Sequence, residues 1–306
     1  MAAAGPKYRD YASRVFSRVE QRFPVRWTLI APAALLLLFV TGLPILYLLW
    51  ISVTDYHILR GMTDYIWLEN YISSVIYSAN FRSAIFTTVT FMIAAVTVQT
   101  VLGFLLAMLL WGRPKRRKYF LPILLMPMFI TWIAVGLMFR FMFESGLGIV
   151  PLLLAMVGIE IAWFSHPTYA LVAIIISDIW EWVPFMMILF LAGLESLPEE
   201  PHEAARVDGA TKWEVFRDVT LPMMYPVIGV AVFIRTIEAS KVFPKVLAMT
   251  EGGPGTATET VSWTIYKVGF RFDELAAAAA QAVTITLMIL GLLWVFAWAG
   301  GVKDAF

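Results

Sequence analysis

Cysteine is absent from the 306 residues of the chain. Its absence excludes disulfide bonds, thiolate metal sites and thiol redox chemistry. Histidine is nearly absent too, and the three that occur are scattered without the close spacing of metal ligands, so we expect no metal site. They are His57, His166 and His202.

Charged residues are also scarce. They make up 15% of the chain, whereas hydrophobic residues make up 60%. A typical soluble domain has about a quarter of its residues charged. A soluble chain of this length could not hide so much apolar surface from water. The composition therefore predicts an integral membrane protein.

Six stretches are long and apolar enough to cross a bilayer, which requires about 20 residues in a helix. Runs of this length predict helices, because the backbone of a segment in lipid must satisfy its own hydrogen bonds. We predict an all-α integral membrane fold with six transmembrane helices and a short cytoplasmic pair of coupling helices. The six stretches are 27–51, 83–111, 119–143, 167–194, 222–246 and 275–299.

Lysine and arginine are unevenly distributed among the connecting segments. Six of them precede the first stretch and five lie in the sequence GRPKRRK at 112–118, whereas the segment 144–166 has none. Basic loops of membrane proteins remain in the cytoplasm. Both termini and the loop 195–221 are therefore expected in the cytoplasm, and the loop 247–273 outside.

The basic N-terminal segment forms a separate unit of the predicted organisation. Apolar and aromatic residues recur at helical spacing among the basic residues of 7–26. This pattern predicts an amphipathic helix that lies on the cytoplasmic leaflet. We accordingly divide the chain into a cytoplasmic segment, 1–26, and a transmembrane domain, 27–306.

The loop 196–222 is polar, yet it carries several helix signals. Two S/T-x-x-E capping boxes predict two helix starts, and Gly209 can adopt the left-handed conformation that ends a helix. The result would be two short helices that meet at a glycine. Such a unit suits docking into a cytoplasmic partner, or it is a connector that packs on its own bundle. The capping boxes are Ser196 with Glu199 and Thr211 with Glu214.

The same loop resembles the coupling-loop signature of binding-protein-dependent ABC importer permeases, in which E-A-A is followed by D-G-A and, further on, by L-P. The motif T-x-G-G-P at 250–254 and the pair Trp180 and Pro184 are similar to the maltose-type carbohydrate branch. The match covers about 178–282. The signature residues, which the resemblance assigns to ATPase coupling, are Glu203, Ala204, Ala205, Asp208, Gly209, Ala210, Leu221 and Pro222.

The resemblance implies a permease subunit of a sugar importer in the bacterial cytoplasmic (inner) membrane. Its partners would be a second permease subunit that is a different chain, two ATPase subunits and an extracytoplasmic solute-binding protein. The sequence has no G-x-x-x-x-G-K-[ST] motif, so this chain is no enzyme, and ATP with Mg²⁺ would be bound by the ATPase subunits. Movement of the docked E-A-A loops would drive alternating access.

Apart from Arg140, near the end of the third stretch, the charged residues lie in two of the apolar stretches, and each costs roughly 2.5–3.5 kcal/mol at the centre of a span. Asp178 and Glu181 share a helical stripe of the fourth stretch with aromatic residues, and Arg235 and Glu238 lie in the fifth. One interpretation is a solute pocket, where these groups hydrogen-bond hydroxyls and aromatic faces stack on a sugar ring. The other is that Arg235 pairs with a carboxylate and holds the helices together.

The resemblance implies that these two stripes line a sugar site. They differ from the more amide-rich maltose pattern, which leaves open a neutral monosaccharide or polyol, an oligosaccharide or an anionic sugar derivative. Lys241 and Lys245, near the outer end of the fifth stretch, are expected to extend toward water. The candidate solute-binding residues are Asp178, Trp180, Glu181, Trp182, Phe185, Arg235, Glu238, Ala239 and Val242.

Two other classes of function compete with an ATP-driven importer. An ion-coupled secondary transporter would use Asp178, Glu181 and Glu238 to bind protons, but the sequence shows no inverted repeat. A membrane enzyme would need a nucleophile with its base, or a metal cluster, and neither pattern is visible.

Overall fold

A computed structural model describes residues 25–62 and 64–299 of the chain, and within these ranges all regular structure is helical. The predicted amphipathic helix 7–26 lies, apart from its last two residues, outside the described residues. The helices are α1 (Val25–Leu37), α2 (Leu43–Ile51), α3 (Glu69–Tyr71), α4 (Ala79–Leu110), α5 (Pro114–Leu125), α6 (Trp132–Phe143), α7 (Ile149–Ala155), α8 (Pro167–Glu195), α9 (Glu200–Val207), α10 (Lys212–Glu214), α11 (Leu221–Ala239), α12 (Phe243–Met249), α13 (Val261–Tyr266) and α14 (Leu275–Ala299).

Shorter helical segments of other types join some of these elements. A π-helical segment, Leu38–Gly42, connects α1 to α2, and another, Val215–Thr220, connects α10 to α11. Two more follow α3 and α13, and a 3₁₀ turn, Met126–Phe129, extends α5.

Five helical runs are long and apolar enough to cross a membrane, and a bent pair supplies a sixth span when it is counted as one. The predicted all-α membrane fold with six spans is confirmed in this sense. The five runs are Ile30–Ile51, Ala79–Leu110, Pro167–Glu195, Lys212–Ala239 and Leu275–Leu292.

The third predicted stretch, 119–143, is not one straight helix. The run Pro114–Phe129 meets α6 at an angle of 94°. Pro127 lies in the 3₁₀ turn at the end of this run, where its missing N–H weakens the α-helical hydrogen bonding, and the bend itself follows at Ile130 and Thr131. The chain is extended at Ile130, directly after the 3₁₀ turn. The expectation of an uninterrupted span is therefore wrong.

The fifth predicted stretch, 222–246, is displaced along the chain. Its helix already begins at Lys212 and stops at Ala239, and α12 is a separate short helix. Pro244 accounts for the break, since in a continuous helix its ring would clash with the carbonyl of Ser240. The second half of the coupling loop is thus the first part of a spanning helix.

The core of the bundle is built around α4 and α8, which pack along their length. They approach closely at Gly103, where a Cβ atom would lie 2.6 Å from that of Met186. Phe190 and Phe91 are fully buried in two core clusters, one toward each end of this pair. The first span is only 6% buried, so its apolar surface faces lipid or another subunit.

Candidate functional site

The coupling loop forms a short helix closed by a glycine turn. Gly209 has a φ of +83°, which glycine adopts without a Cβ clash. The backbone N–H of Gly209 donates to the carbonyl of Arg206 (3.1 Å), and that of Ala210 to Ala205 (2.9 Å). These two bonds make a Schellman motif, which fixes the end of α9. The predicted left-handed glycine is confirmed.

Of the two predicted capping boxes, one is present. The hydroxyl of Thr211 accepts from the backbone N–H of Glu214 at 3.3 Å, and the Glu214 carboxylate accepts from Thr211 N–H at 2.7 Å. The prediction of a capping box at Ser196 is wrong. The Ser196 hydroxyl donates instead to the carbonyl of Gly193, at the end of α8, and α9 begins only at Glu200.

The signature residues lie on an exposed projection at one end of the bundle. Glu203, Ala204, Asp208 and Gly209 are exposed, while the neighbouring Val207 has 87% of its surface free. The surface predicted to dock a partner is thus not packed on its own bundle. The remaining signature residues are the half-buried Ala205, Ala210 and Leu221, and the exposed Pro222 at the start of α11.

A buried ion cluster lies between four helices near the middle of the bundle. Asp178 of α8 accepts from Arg235 of α11 and, at 2.5 Å, from the Lys245 ammonium of α12. Gln99 of α4 donates to the same carboxylate at 2.8 Å and accepts from Arg235 Nε at 2.8 Å. Each of these four side chains is nearly inaccessible to solvent.

Glu181 completes this cluster from the next turn of α8. Its carboxylate is 1% exposed and lies 2.6 Å from the Lys245 ammonium. Two cations therefore face two carboxylates, and the cluster is neutral as a whole. Charges buried without such partners would be strongly destabilising. The exception in this cluster is Glu181 Oε1, which has no hydrogen-bond partner among the described residues.

Lys245 corrects one expectation. It does not extend toward water, because the break before Pro244 turns α12 back against the bundle. Lys241 extends toward water as expected, and its ammonium also pairs with the Glu238 carboxylate at 3.0 Å. Sequence reasoning missed Gln99 altogether. The sequence did contain a clue to Gln99, since it is the only amide side chain in the apolar stretch 83–111.

Aromatic residues form a second layer over the ion cluster. The Trp182 ring lies 4.9 Å from the guanidinium of Arg235, and it packs edge-on against Phe185 at 5.7 Å. Trp132, the first residue of α6 after the bend, lies 6.0 Å from Trp182. Trp180 points elsewhere and packs against Phe139 at 5.5 Å. Trp132 is a further candidate that sequence reasoning missed.

An open, mostly apolar groove of about 550 Å³ lies beside this layer. Its walls are the bend at 129–133 and the first residues of α12, so the two interrupted spans meet there. Trp132 and Pro244 also border the small space above the ion cluster that Trp182 and Glu238 line.

The remaining candidates occupy different surroundings. The Glu238 carboxylate is about 30% exposed next to the groove. Ala239 and Val242 are buried and belong to the apolar core around Phe91. The candidates thus divide into an ion cluster, an aromatic layer beside a groove, and core packing.

Comparison with known proteins identifies the family. The model of the family described as binding-protein-dependent transport system inner membrane component matches residues 99–302. This is more than half of the chain. The protein belongs to this family. The resemblance seen in the coupling loop is confirmed, and the permease is a transport component of the inner membrane.

Two relatives align over most of their length with this permease. The trehalose/maltose transport system permease of Thermococcus litoralis is 30% identical over 90% of the chain and 92% of the relative. The sulfoquinovosyl glycerol transport system permease of Agrobacterium fabrum is 34% identical over 89% of the chain and 93% of the relative.

A solved structure shows the same fold. A bacterial ABC transporter involved in the import of the acidic polysaccharide alginate has a chain that superposes with a TM-score of 0.79. The two chains are 21% identical, and the match covers 95% of the permease and 99% of that chain.

Proposed function

We propose that this permease is one transmembrane subunit of an ATP-driven, binding-protein-dependent importer of a sugar-like solute. The observation that carries the proposal is the exposed projection formed by α9 and its glycine turn. It bears the E-A-A signature, and residues 25–62 and 64–299 leave it uncovered. A projection of this kind suits the groove of a cytoplasmic ATPase.

The assembly required by this function is larger than one chain. The permease would pair with a second permease, a different chain, and the two would rest on two ATPase subunits that bind ATP and Mg²⁺. A solute-binding protein would deliver the solute from outside, as the family description implies. Both termini of the permease would lie in the cytoplasm, on the side of the basic segment 112–118.

Transmission of movement follows from the continuity of the helices. The helix that follows the glycine turn runs from α10 into α11 without a break, so a displacement at Lys212 moves the spanning helix. The ion cluster then links α11 to three other helices. A group of helices tied in this way moves as a rigid body, which is the motion that alternating access requires.

The solute pathway is best placed at the groove beside the interrupted spans. Non-helical backbone at membrane depth is tolerated only where it is buried in protein or lines a water-filled cavity. Both interruptions, at 129–133 and before Pro244, border this groove. Trp132 and Trp182 offer flat aromatic faces for a sugar ring, and Glu238 offers an acceptor for hydroxyl groups.

The chemistry of the site favours a neutral, polyhydroxylated solute. Arg235 is paired with Asp178 and Gln99, so its guanidinium is occupied and is not offered to an anion. The relatives named for trehalose/maltose and for sulfoquinovosyl glycerol support a sugar or sugar conjugate as the general class.

An ion-coupled carrier is not supported. Of its candidate proton sites, Asp178 is held between two cations, Arg235 and Lys245, and is closed off from solvent. The family to which the chain belongs also depends on a binding protein.

Reconstitution tests the proposal. The permease, assembled with the subunits encoded beside it, is placed in liposomes, and uptake of a panel of radiolabelled mono- and disaccharides is measured with the cognate binding protein. We expect uptake only with ATP and the binding protein. Uptake by the permease alone, driven by a proton gradient, would overturn the proposal.

A pair of glycine variants extends this test to the coupling loop. Gly209→Val places a β-branched residue at a φ of +83° and distorts the turn, so ATP-driven uptake should fall by at least about tenfold. Gly146 has the same φ and equally open surroundings, but it lies in the loop after α6. Gly146→Val is therefore the matched control, and equal losses in both variants would argue against a coupling role.

A further inference from the structure

The coupling helix α9 is held to the bundle by very few side chains. Its only buried residue is His202, of which 6% is exposed. His202 directly precedes the E-A-A signature. The signature itself faces outward, so this histidine lies on the side of α9 that meets the rest of the protein.

Both ring nitrogens of His202 have partners. Nδ1 lies 3.2 Å from the carbonyl oxygen of Pro198, and Nε2 lies 3.1 Å from the hydroxyl oxygen of Thr220. A carbonyl can only accept, so Nδ1 carries a hydrogen and donates it to Pro198. The Thr220 hydroxyl lies within hydrogen-bond distance of Nε2 and, at 3.3 Å, of the Val215 carbonyl oxygen. Thr220 is the last residue before α11.

The imidazole ring also contacts a third element. It packs edge-on against Trp111, with ring centroids 5.7 Å apart and an interplanar angle of 67°. Trp111 ends α4. One side chain therefore connects the coupling helix to the start of α11 and to the end of α4.

The space around the contacts of His202 with Thr220 and Trp111 is not filled by apolar packing. A cavity of about 400 Å³ lies beside it, lined in part by Glu199, Glu203 and Arg206. A helix that is loosely packed can move its neighbours only through the few side chains that contact them, because close packing is what transmits a displacement. In α9, the buried His202 is the side chain with the best defined contacts of this kind.

We infer that His202 is a positioning residue, which transmits the displacement of the coupling helix to α11 and α4. The inference rests on the coupling role proposed above for the same loop. It assigns to the histidine no contact with solute or nucleotide. Without the contacts of His202, the ATPase subunits would still close on the coupling helix, but α11 and α4 would move by a smaller amount.

The test compares transport with ATP consumption in the assembled transporter. His202→Leu fills the space without a hydrogen bond, and Thr220→Val removes the partner hydroxyl at similar volume. In each variant we expect the number of solute molecules imported per ATP hydrolysed to fall by about tenfold, as loss of one buried hydrogen bond allows. ATP hydrolysis itself should continue. His202→Gln, which can still bond Thr220, should recover most of the ratio.

The controls separate this inference from the function on which it rests. The double variant His202→Leu/Thr220→Val should lose less than the product of the two single-variant losses, because both single variants remove the bond between His202 and Thr220. An unchanged ratio in both single variants would overturn the inference, and so would a parallel loss of transport and ATP hydrolysis. Failure of the unaltered transporter to import with ATP would instead overturn the proposed function.

Discussion

Asp178 is the residue on which the buried ion cluster depends. It receives hydrogen bonds from Arg235, Lys245 and Gln99, which come from three different helices. Burial of charges is costly, and pairing only offsets that cost when the remaining polar atoms are satisfied as well. Removing the central carboxylate would leave two cations with one carboxylate, that of Glu181.

Asp178→Asn should therefore destabilise the protein. The amide is nearly isosteric, so the loss reflects charge and not shape, and we expect about 3–5 kcal/mol. Thermal unfolding of the purified transporter in detergent, followed by tryptophan fluorescence, measures the effect as a lowered Tm.

Two variants serve as controls for this prediction. Glu238→Gln removes a half-buried carboxylate from its pair with the exposed Lys241 and should cost no more than about 1 kcal/mol. Asp178→Asn/Lys245→Gln restores neutrality and should regain part of the loss. If Asp178→Asn keeps its Tm and only weakens solute uptake, Asp178 is a solute ligand and not a structural ion.

The sequence revealed the ion cluster only in part. Asp178, Glu181 and Arg235 stand out, because charges in an apolar span need partners. The position of Lys245 did not follow from its spacing to Lys241, since a break at Pro244 separates the two. Contacts between α4 and α8 depend on how the helices pack in three dimensions, so Gln99 could not be matched to Asp178 from the chain alone.

At the scale of elements, the spans were predicted correctly where the apolar run is uninterrupted and wrongly where a proline interrupts the helix. The apolar runs predict the spans because a bilayer dictates their length. Prolines inside such runs are ambiguous, since membrane helices often tolerate them. Pro184 lies inside the continuous α8, whereas Pro127 and Pro244 each lie where a predicted span is interrupted.

Gly103 gives a direct test of how α4 and α8 pack. A Cβ atom there would lie 2.6 Å from Met186 Cβ and 3.0 Å from the backbone nitrogen of Met187. Gly103→Ala must therefore push the helices apart, and we expect a loss of about 1–3 kcal/mol, as is typical for overpacking. The measurement is the Tm of the purified transporter.

Gly291 provides the matched control within a helix. A Cβ atom built there meets nothing within 4 Å. Gly291→Ala should be neutral or stabilising by about 0.5–1 kcal/mol, because alanine favours the helix. A similar loss in both variants would show that flexibility of glycine, and not close packing, matters at Gly103.

At the scale of the whole molecule, the proposed mechanism requires opposite ends of the bundle to face opposite compartments. The coupling projection follows α8, and the loop after α6 precedes it. A helix of the 29 residues of α8 spans about 44 Å at 1.5 Å per residue, enough to cross a bilayer. The charge distribution predicts that the coupling end faces the cytoplasm.

The absence of cysteine makes this arrangement testable with single introduced thiols. Val207, at the end of α9, is 87% exposed, and Leu147, in the loop after α6, is 90% exposed. In spheroplasts, Leu147→Cys should react with a membrane-impermeant maleimide, and in inside-out vesicles Val207→Cys should react instead. Both should react in detergent, which controls for buried thiols. Assembly with the ATPase subunits should protect Val207→Cys alone, because only that end would be covered. Labelling of both thiols from one side would contradict the topology, and with it the proposal that a cytoplasmic ATPase drives this bundle through α9.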